Sequence, residues 1–476
     1  MTADLKLYPA MKDSGVEWLG EVPEHWGNRK LRSVLSNVTA RNRPDLPLLS
    51  VLREKGVIIR DVSNRDQNHN YIPDDLTNYK VVREGQFVMN KMKAWQGSYG
   101  VSSHNGIVSP AYYVFDIKDV AANFFNLAIR SRAYVPFFTQ ASDGVRIGQW
   151  DLSQSRMREI PFLVPPLPEQ IAIVRYLDYM DRRVRRLIRA KRKLIVLFNE
   201  QKQAIIHRAV TRGLNPDVPM KDSGVEWLGE VPAHWEVLKL RQCGAITGGV
   251  TPSMEVERYW NGDIPWVTPK DMKTRVIKDS SVRVTKAAIE ETSLKKICSK
   301  AVLLVVRGMI LARKVPIAWT MKSVTINQDM KAIRPRQEIN ARYLTTTLSS
   351  AQDAFVPLID EAGHGTKRLP TERWKNLSIA VPPPSEQAAI VEYLDQATAD
   401  IDIAIARITH EIDLLNEYRT RLIADVVTGK LDVREAAAAL PEVDPLAAEA
   451  DPDDALDTDT EVDLEAFDAI FEEGEA

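Results

Sequence analysis

Two long segments of the chain share one pattern of apolar positions. In Pro168–Thr211 these positions recur at alternating steps of four and three residues, and Ser385–Thr428 repeats the pattern 217 positions later. A 3.5-residue period kept over about five heptads predicts coiled-coil helices, each roughly 65 Å long. The first seam is Ile173, Leu177, Met180, Val184, Leu187, Lys191, Leu194, Phe198, Gln201 and Ile205. The second seam is Ile390, Leu394, Ala397, Ile401, Ala404, Ile408, Glu411, Leu415, Tyr418 and Leu422.

The two seams match each other in antiparallel order. Pairing positions whose numbers total 595 sets every seam residue opposite another, and it places bulky Phe198 against small Ala397, which suits interdigitated packing. The charges agree, because Arg182–Lys193 has eight Arg or Lys among twelve residues and faces the more acidic Asp402–Asp413. The pattern therefore predicts an antiparallel helix pair, with two amphipathic helices in separate bundles as the alternative. The basic run is compatible with phosphate binding and with neutralisation by the second helix.

Two shorter boxes also occur twice. Met11–Trp26 matches Met220–Trp235 at fifteen of sixteen positions, which indicates duplication. We interpret these boxes as structural straps whose tryptophans anchor them to a core. A second box, VPPLPEQIAIVRYLD from Val164 and VPPPSEQAAIVEYLD from Val381, starts each long helix. Its prolines favour a helix start, and a glutamate in the first turn suits the helix dipole; Gly213 and Gly429 then predict the helix ends.

Between the boxes lie two inserts of similar length, 27–163 and 236–380, whose sequences are not recognisably alike. Each has the pattern of a mixed domain rich in short strands. One frame carrying two divergent inserts suggests a common scaffold that presents two different ligand surfaces. Strands are predicted near Gly56–Val62, Phe87–Asn90, Tyr112–Phe115, Ile264–Thr268, Ala301–Val306 and Lys331–Arg334, and helices over Phe124–Tyr134 and Ala341–Leu348.

Composition places the chain among ordinary globular proteins with a polyanion partner. Its 476 residues predict two or three domains, and two cysteines without a CxxC pair indicate neither a disulfide framework nor a zinc site. The N-terminus lacks a signal-peptide core, and no run is apolar enough for a membrane span, so a cytoplasmic protein is expected. From Ala437 onward there are fifteen acidic residues and no basic ones, which leaves 63 basic against 50 acidic residues in the body.

No catalytic set is evident, because the chain has no GxGxxG after a strand, no Walker loop, no HExxH and no GxSxG. Polar loops with lysines and aromatics are better represented and are compatible with phosphate and base-edge contacts, although they are equally typical of surface turns. The candidates in the first insert are Asn90, Lys91, Lys93, Trp95, Gln96, Ser98 and Tyr99. Those in the second are Thr251, Ser253, Tyr259, Trp260, Asn261, Lys270, Arg313, Lys314, Asn327 and Gln328.

Together these motifs resemble the specificity subunit of type I restriction-modification systems. The VPxHW strap and the VPPxxEQxAIVxYLD box recur in order, and the inserts carry GQFVMNKMKAWQG, GIVSPAY, YWNGDIPWVT and INQD, which are similar to recognition domains of that family. The resemblance covers about Met11–Leu431. It implies an α+β fold in which two mixed α/β target-recognition domains are separated by a long antiparallel two-helix coiled coil. It also implies an internal pseudo-twofold duplication that is circularly permuted, so that the N-terminal strap completes the half beside the second long helix.

The resemblance further implies a non-catalytic chain that reads a bipartite, asymmetric target in double-stranded DNA. Its partners would be two modification (methyltransferase) subunits and restriction (translocase/endonuclease) subunits, which would carry S-adenosylmethionine, ATP and Mg; no cofactor, metal or membrane contact is expected for this chain. A stand-alone methyltransferase or nuclease and a protein-only coiled-coil adaptor are the alternatives.

The expected domains follow the repeated boxes and the inserts between them. They are a strap at 1–26, recognition domain one at 27–163, spacer helix one at 164–213, a repeated strap at 214–235, recognition domain two at 236–380, spacer helix two at 381–430 and an acidic disordered tail at 431–476. Within the tail, the helical spacing of Leu464, Phe467 and Phe471 suggests a weak partner-binding helix, and DNA mimicry by the tail is a further hypothesis.

Overall fold

A computed structural model describes residues 5–62, 72–73, 75–144, 150–361 and 366–442. They divide into two units, one drawn from Met1–Lys191 and Thr409–Ala455 and the other from Arg192–Ile408. Both units combine antiparallel strands with helices, which confirms the mixed α/β class. The predictions for Leu464, Phe467 and Phe471 lie outside the described residues.

The first unit is built on a four-stranded antiparallel sheet in the order Leu35–Asn37, Tyr112–Ile117, Phe87–Asn90 and Tyr99–Val101. Its centre is aromatic, with Phe87, Phe115, Phe125 and Phe162 in one buried cluster. Five strand pairs surround the sheet: Met11–Asp13 with Glu21–Pro23, Gly27–Lys30 with Pro161–Val164, Leu49–Leu52 with Gly56–Ile59, Lys80–Val82 with Gly106–Val108, and Ser142–Asp143 with Asp151–Leu152. The shorter helices are Leu31–Val34, Ala122–Ile129, Val135–Gln140, Gln154–Met157 and Arg434–Ala438.

The second unit has a five-stranded sheet in the order Gly244–Gly248, Met330–Pro335, Val302–Val305, Ile317–Thr320 and Val276–Ile277. Its core is aliphatic, and the strand Val302–Val305 is buried at every position. A three-stranded sheet joins Arg283–Val284, Trp260–Val267 and Thr325–Ile326, and the remaining pairs are Met220–Asp222 with Glu230–Pro232, Glu236–Lys239 with Ser378–Val381, and Asp360–Glu361 with Lys367–Arg368. The shorter helices are Leu240–Cys243, Lys286–Glu291, Ala341–Ser350, Gln352–Phe355 and Thr371–Trp374. The strands and helices predicted in both inserts are thus present, with shifted ends.

The two predicted long helices are confirmed as Leu167–Arg212 and Pro384–Val427. Gly213 and Gly429 follow them with φ of 72° and 76°, a left-handed conformation that glycine adopts without a steric penalty. Each helix contributes to both units, since the unit boundaries fall after Lys191 and after Ile408.

The buried stripe of the first long helix departs from the predicted seam after Val184. Leu187 and Leu194 are 39% and 45% exposed, whereas Ile188 is 6% and Ile206 is 2% exposed. An undistorted helix has 3.6 residues per turn, so its buried face moves by about 20° per heptad relative to a strict 3.5-residue repeat. The drift is about 40° at Leu187, two heptads after Ile173, where Ile188 begins to take over the buried face. It is almost one residue by Ile205, where the buried residue is Ile206.

Ion pairs between the long helices fix an antiparallel register within each unit. They are Asp181 with Arg419 and Lys191 with Glu411 in the first unit, and Lys202 with Asp402 in the second. The paired numbers total 600, 602 and 604, so the register differs from the predicted 595 by about one heptad and brings Phe198 opposite Ala404 rather than Ala397. A shift of seven residues keeps eight of the ten residues of each seam opposite a seam residue. The apolar pattern therefore predicts the antiparallel pairing, but it cannot distinguish between registers that differ by seven residues.

Each strap is held by a glutamate in the first turn of a long helix. In the first unit Glu169 accepts hydrogen bonds from Trp26 Nε1 at 3.0 Å and His25 Nε2 at 2.8 Å, and another from the Tyr8 hydroxyl. Trp26 is 1% exposed. The anchoring role predicted for this tryptophan is confirmed, whereas Trp18 is 41% exposed and its ring lies 4.6 Å from that of Phe137.

The second unit repeats this arrangement with its own residues. Glu386 accepts from Trp235 Nε1 at 2.9 Å and His234 Nε2 at 2.7 Å, and Trp235 is fully buried. A neighbouring glutamine also acts in the same way in both units. Gln170 and Gln387 each accept from the backbone N–H at the start of a helix and donate to a proline carbonyl of the VPP box.

The acidic tail does not begin at residue 431 as predicted. Asp432 pairs with the backbone of Lys6, Arg434–Ala438 is helical, and Val433 and Ala437 are buried in the core of the first unit. Arg175 donates to the carbonyls of Leu440 and Pro441. The apolar residues at 433, 437 and 440 make this segment part of the fold, because each buries surface that a tail would leave in water.

Candidate nucleic-acid interface

The first candidate loop turns directly after the strand Phe87–Asn90. The Asn90 carboxamide oxygen accepts from the Met92 N–H at 3.1 Å, which closes the turn, and Lys91 Nζ lies 2.9 Å from an Asp151 oxygen. Met92, Lys93 and Gln96 are exposed. The loop therefore presents a lysine, an amide and an apolar side chain to solvent, the kinds of group that contact phosphates and base edges.

Three of the predicted contact residues are core residues instead. Ser98 and Tyr99 are buried in the first unit, and Asn327 is buried in the second, where its amide donates to Asp329 at 3.0 Å. Tyr99 packs 4.4 Å from the Phe138 ring, and burial raises the pKa of its hydroxyl. Ser98 and Asn327 directly adjoin the strands Tyr99–Val101 and Thr325–Ile326, so a polar residue in a loop-like sequence can be buried together with the strand beside it.

Trp95 occupies an intermediate position. It is half-buried, and its ring centroid lies 5.2 Å from that of Trp150. Its indole N–H is buried without a hydrogen-bond partner among the described residues. Trp95 therefore packs against Trp150 inside the loop, and its ring is not fully exposed for stacking on a base.

The candidates of the second unit form two small groups. In one, the Thr251 hydroxyl donates to the exposed Gln328, so these two residues are brought together. In the other, the Trp260 indole N–H donates to the Ser253 carbonyl at 3.0 Å, while Tyr259 Oη donates to Glu291 at 3.1 Å.

The remaining candidates of this unit lie on its surface. Asn261 is exposed in a left-handed conformation with φ of 59°, and Lys270, Arg313 and Lys314 are exposed as well. Asn261 lies within the irregular part of the strand Trp260–Val267, between Trp260 and Ile264, where the register with Val284 shifts; such bulges often redirect side chains.

Two basic residues that the sequence did not single out lie beside the first candidate loop. Arg41 and Lys80 form an isolated antiparallel bridge, and Lys80 Nζ lies 5.5 Å from the centroid of the Tyr113 ring. Lys91 is close enough to Lys80 for its charge to lower the pKa of that amine, after burial and Arg41. No sequence motif indicates this grouping, because the three residues come from separate segments and meet only through the strand pairing.

The second unit also contains a groove of about 210 Å³ between the long helices and the sheet. Arg342 donates to both Asp395 oxygens at 2.7 Å, Lys202 pairs with Asp402, and desolvation lowers the pKa of Arg275. None of the predicted DNA contacts lines this groove. Its mixed charge distinguishes it from a polyanion site.

Within the described ranges, no group of three or more His, Cys, Asp or Glu residues could hold a metal ion. Among the helices of the same residues, none combines the length and the apolar character that crossing a membrane requires.

Comparison with known proteins connects these features to one family. Residues 232–413 match the family model described as the type I restriction modification DNA specificity domain. The specificity subunit of the type I restriction enzyme EcoR124I/EcoR124II from Escherichia coli is 28% identical over 284 residues, which cover 58% of this chain and 64% of that protein. The MjaIX specificity subunit from Methanocaldococcus jannaschii is 32% identical over 180 residues, 35% of this chain and 39% of that protein.

The chain thus spans just under two thirds of the first relative and less of the second. A chain from a solved structure of a type I R-M system has a TM-score of 0.61 with 16% identity, covering 85% of this chain and 98% of that one, which shows a shared fold. The resemblance of the chain to type I restriction-modification specificity subunits is confirmed, and it is carried by residues 232–413, which are similar to the type I restriction modification DNA specificity domain.

Proposed function

We propose that this chain is the DNA sequence-recognition subunit of a type I restriction-modification complex. The observation that carries the proposal is the specificity-domain match over residues 232–413, which includes nearly the whole globular part of the second unit. The basic excess of the body, 63 basic against 50 acidic residues before Ala437, supports DNA as the ligand. A cytoplasmic location is part of the same proposal.

The two units are proposed to read two different half-sites of a bipartite target. The first recognition module has an aromatic core beneath a four-stranded sheet, whereas the second has an aliphatic core and a five-stranded sheet. Their exposed loops differ as well, with Lys93 and Gln96 in one and Asn261 and Gln328 in the other. Because unlike surfaces present unlike hydrogen-bonding groups, the target is expected to be asymmetric rather than palindromic.

A circularly permuted duplication is proposed for the frame. The support is that equivalent straps lie against equivalent helix ends. A Cβ at Gly213 would come 3.1 Å from the Trp235 ring, and a Cβ at Gly429 would come 3.3 Å from the Trp26 ring. The second strap follows its helix directly in sequence, whereas the first strap precedes its helix by about 400 residues. An N-terminal strap that completes the end of the second long helix is what permutation predicts.

The long helices are proposed to set the gap between half-sites and to bind two modification subunits. Apolar side chains on them are exposed, including Val196, Leu197, Ile403 and Leu414, which supports a protein-binding face. This chain would be non-catalytic. The modification and restriction subunits would bind S-adenosylmethionine, ATP and Mg, and they would supply methylation, translocation and cleavage.

Mapping of methylated adenines in the source genome, with and without this chain, tests the proposal. The expected result is one asymmetric two-part motif that loses methylation when the chain is deleted. Replacing 27–163 with the equivalent insert of a relative should change one half of the motif only. A change in both halves would contradict modular reading.

Two binding measurements distinguish the alternatives. S-adenosylmethionine or metal binding by the purified chain alone would favour a stand-alone methyltransferase or nuclease. Absence of DNA affinity in the presence of the modification subunit would favour a protein-only adaptor.

A further inference from the structure

Three basic residues of the first unit, Arg41, Lys80 and Lys91, lie close enough for their charges to interact. Arg41 is bridged to Lys80 at the start of the strand Lys80–Val82, and Lys91 follows the strand Phe87–Asn90, which pairs with the strand carrying Tyr113. Lys80 Nζ lies 5.5 Å from the centroid of the Tyr113 ring. Residues far apart in sequence thus bring three positive charges to one face.

Among the described residues, one of these three cations has a carboxylate partner. Lys91 pairs with Asp151 at 2.9 Å. The Lys80 ammonium donates to the Tyr112 carbonyl at 2.5 Å and has no carboxylate partner among the described residues. Arg41 is exposed and forms no side-chain hydrogen bond with any described residue. Within the part of the chain that the structure describes, the group therefore has more positive charge than its carboxylate partner balances.

Like charges held close together raise the free energy of the folded chain, and a bound anion removes that cost. Lys80 shows the effect, because burial first and then Arg41 and Lys91 lower the pKa of its amine. We propose that Arg41, Lys80 and Lys91 bind backbone phosphates of double-stranded DNA and orient the loop of Met92, Lys93 and Gln96 toward the bases. This inference rests on the proposed function and names the phosphate contacts of its first module.

The surroundings favour a nucleic acid over a small anion. Arg41 is exposed, and the three cations come from separate segments: an isolated bridge, the strand Lys80–Val82 and the turn after Phe87–Asn90. Basic residues gathered from several segments onto one face are the usual footprint of a phosphate-backbone site. The exposed loop beside them offers a lysine and an amide for base edges and, at Met92, an apolar group of the kind that can contact a thymine methyl.

Arg43 provides a matched control within the same loop. It lies two residues from Arg41 and is also exposed, but its guanidinium forms two 2.7 Å bonds to the Asp45 carboxylate. Its charge is therefore already compensated. Arg43→Gln removes the same charge as Arg41→Gln at nearly the same place, without removing a proposed phosphate contact.

The test measures DNA binding by the full-length chain, alone and co-purified with its modification subunit, over a series of salt concentrations. The probes are a duplex of mixed sequence and a duplex that carries the two-part motif identified by mapping methylated adenines. The Arg41→Gln/Lys80→Gln double variant should bind both duplexes at least about tenfold more weakly. Its slope of log affinity against log salt should fall by about two, while Arg43→Gln keeps the wild-type slope. Lys80→Arg, which keeps the positive charge, should keep most of the wild-type affinity.

Each outcome separates this inference from the proposed function. If wild type binds DNA and the double variant keeps the same affinity and slope, the phosphate assignment is wrong and the proposed function stands. If wild type shows no DNA binding even with the modification subunit, the proposed function fails. Equal or tighter binding to duplex RNA would also overturn the assignment. A thermal unfolding midpoint within the error of wild type shows that a loss of binding is not a loss of fold.

Discussion

The two strap junctions use the same residues in different surroundings. Glu169 is 5% exposed and Glu386 is 41% exposed, although both accept hydrogen bonds from a histidine and a buried tryptophan of nearly identical straps. The additional enclosure in the first unit comes from outside the repeat. Tyr8 donates to Glu169, and Arg434 lies 5.1 Å from the Tyr8 ring.

This comparison shows what a sequence repeat determines. The strap and the helix start determine which atoms bond, because those residues are identical in both copies. Segments that occur once, at residues 5–8 and 432–440, determine how far water is excluded from the bond. A hydrogen bond to a buried carboxylate contributes more to stability than the same bond at an accessible one. The two units should therefore respond differently to equivalent substitutions.

Removing the strap tryptophans should have the largest effect. Trp26→Ala and Trp235→Ala each delete a fully buried ring that also donates a hydrogen bond, so each should lower the free energy of unfolding by about 3–5 kcal/mol. Hydrogen exchange measured by mass spectrometry should show lost protection in the strap of the substituted unit. Trp26→Phe and Trp235→Phe, which keep most of the ring, are the controls. Unchanged protection after either alanine substitution would contradict the anchoring role.

Substituting the two glutamates should distinguish the junctions. Glu169→Gln weakens three hydrogen bonds to a buried carboxylate and should cost about 1.5–3 kcal/mol. Glu386→Gln acts at an accessible carboxylate and should cost less than about 1 kcal/mol. Urea unfolding of the two variants beside wild type gives the comparison. Equal losses would mean that Tyr8 and the 432–440 segment do not enclose the first junction.

Alkaline pH should weaken the second unit before the first. Burial raises the pKa of the Cys243 thiol to about 11, against about 8.5 for an unfolded cysteine. The unfolded chain therefore loses this proton first, and the stability due to the neutral thiol is complete below about pH 8.5 and is lost as pH rises toward 11. The expected loss is about 1–3 kcal/mol.

Unfolding measured between pH 8 and 10 checks the cysteine prediction. Cys243→Ala should flatten the decline over this range, whereas substitution of the exposed Cys298 by alanine should leave it unchanged. In the first unit the pKa of Tyr8 is raised by burial and by Glu169. The contribution of Tyr8 should begin to fall only above about pH 10, where an unfolded tyrosine ionises. A decline that Cys243→Ala leaves in place would contradict the assignment to the thiol.

The elements that the sequence predicted best are those with a long or repeated pattern. The two long helices, the strap tryptophans and the strand Val302–Val305 follow from periodicity, repetition and an apolar run. The contact residues were predicted less well. Ser98 and Tyr99 follow a polar, loop-like sequence, yet the strand Tyr99–Val101 faces the core, and this orientation depends on a pairing partner that local sequence does not specify.

The cluster of Arg41, Lys80 and Lys91 shows that local sequence can also fail to indicate a candidate contact. Each residue is an ordinary basic residue in its own segment, and only the bridge of Arg41 to Lys80 and the pairing of neighbouring strands bring the charges together. Helix register is limited in a further way. Because a heptad repeat looks the same after seven residues, an apolar seam is compatible with several registers, and specific ion pairs must select one.

Exchanging one ion pair tests the register of the two long helices. The expected change in the free energy of unfolding is the smallest of these predictions. Lys191→Glu should cost about 0.5 kcal/mol by placing like charges opposite Glu411, and Glu411→Lys in the same chain should recover most of it. Glu417→Lys, which changes a glutamate two turns away on the same helix, should show no coupling to Lys191→Glu. In the register predicted from the apolar seam, Lys191 faces Ala404 and neither double variant would show coupling. Coupling confined to Glu411, measured by urea unfolding of the single and double variants, would therefore establish the one-heptad shift.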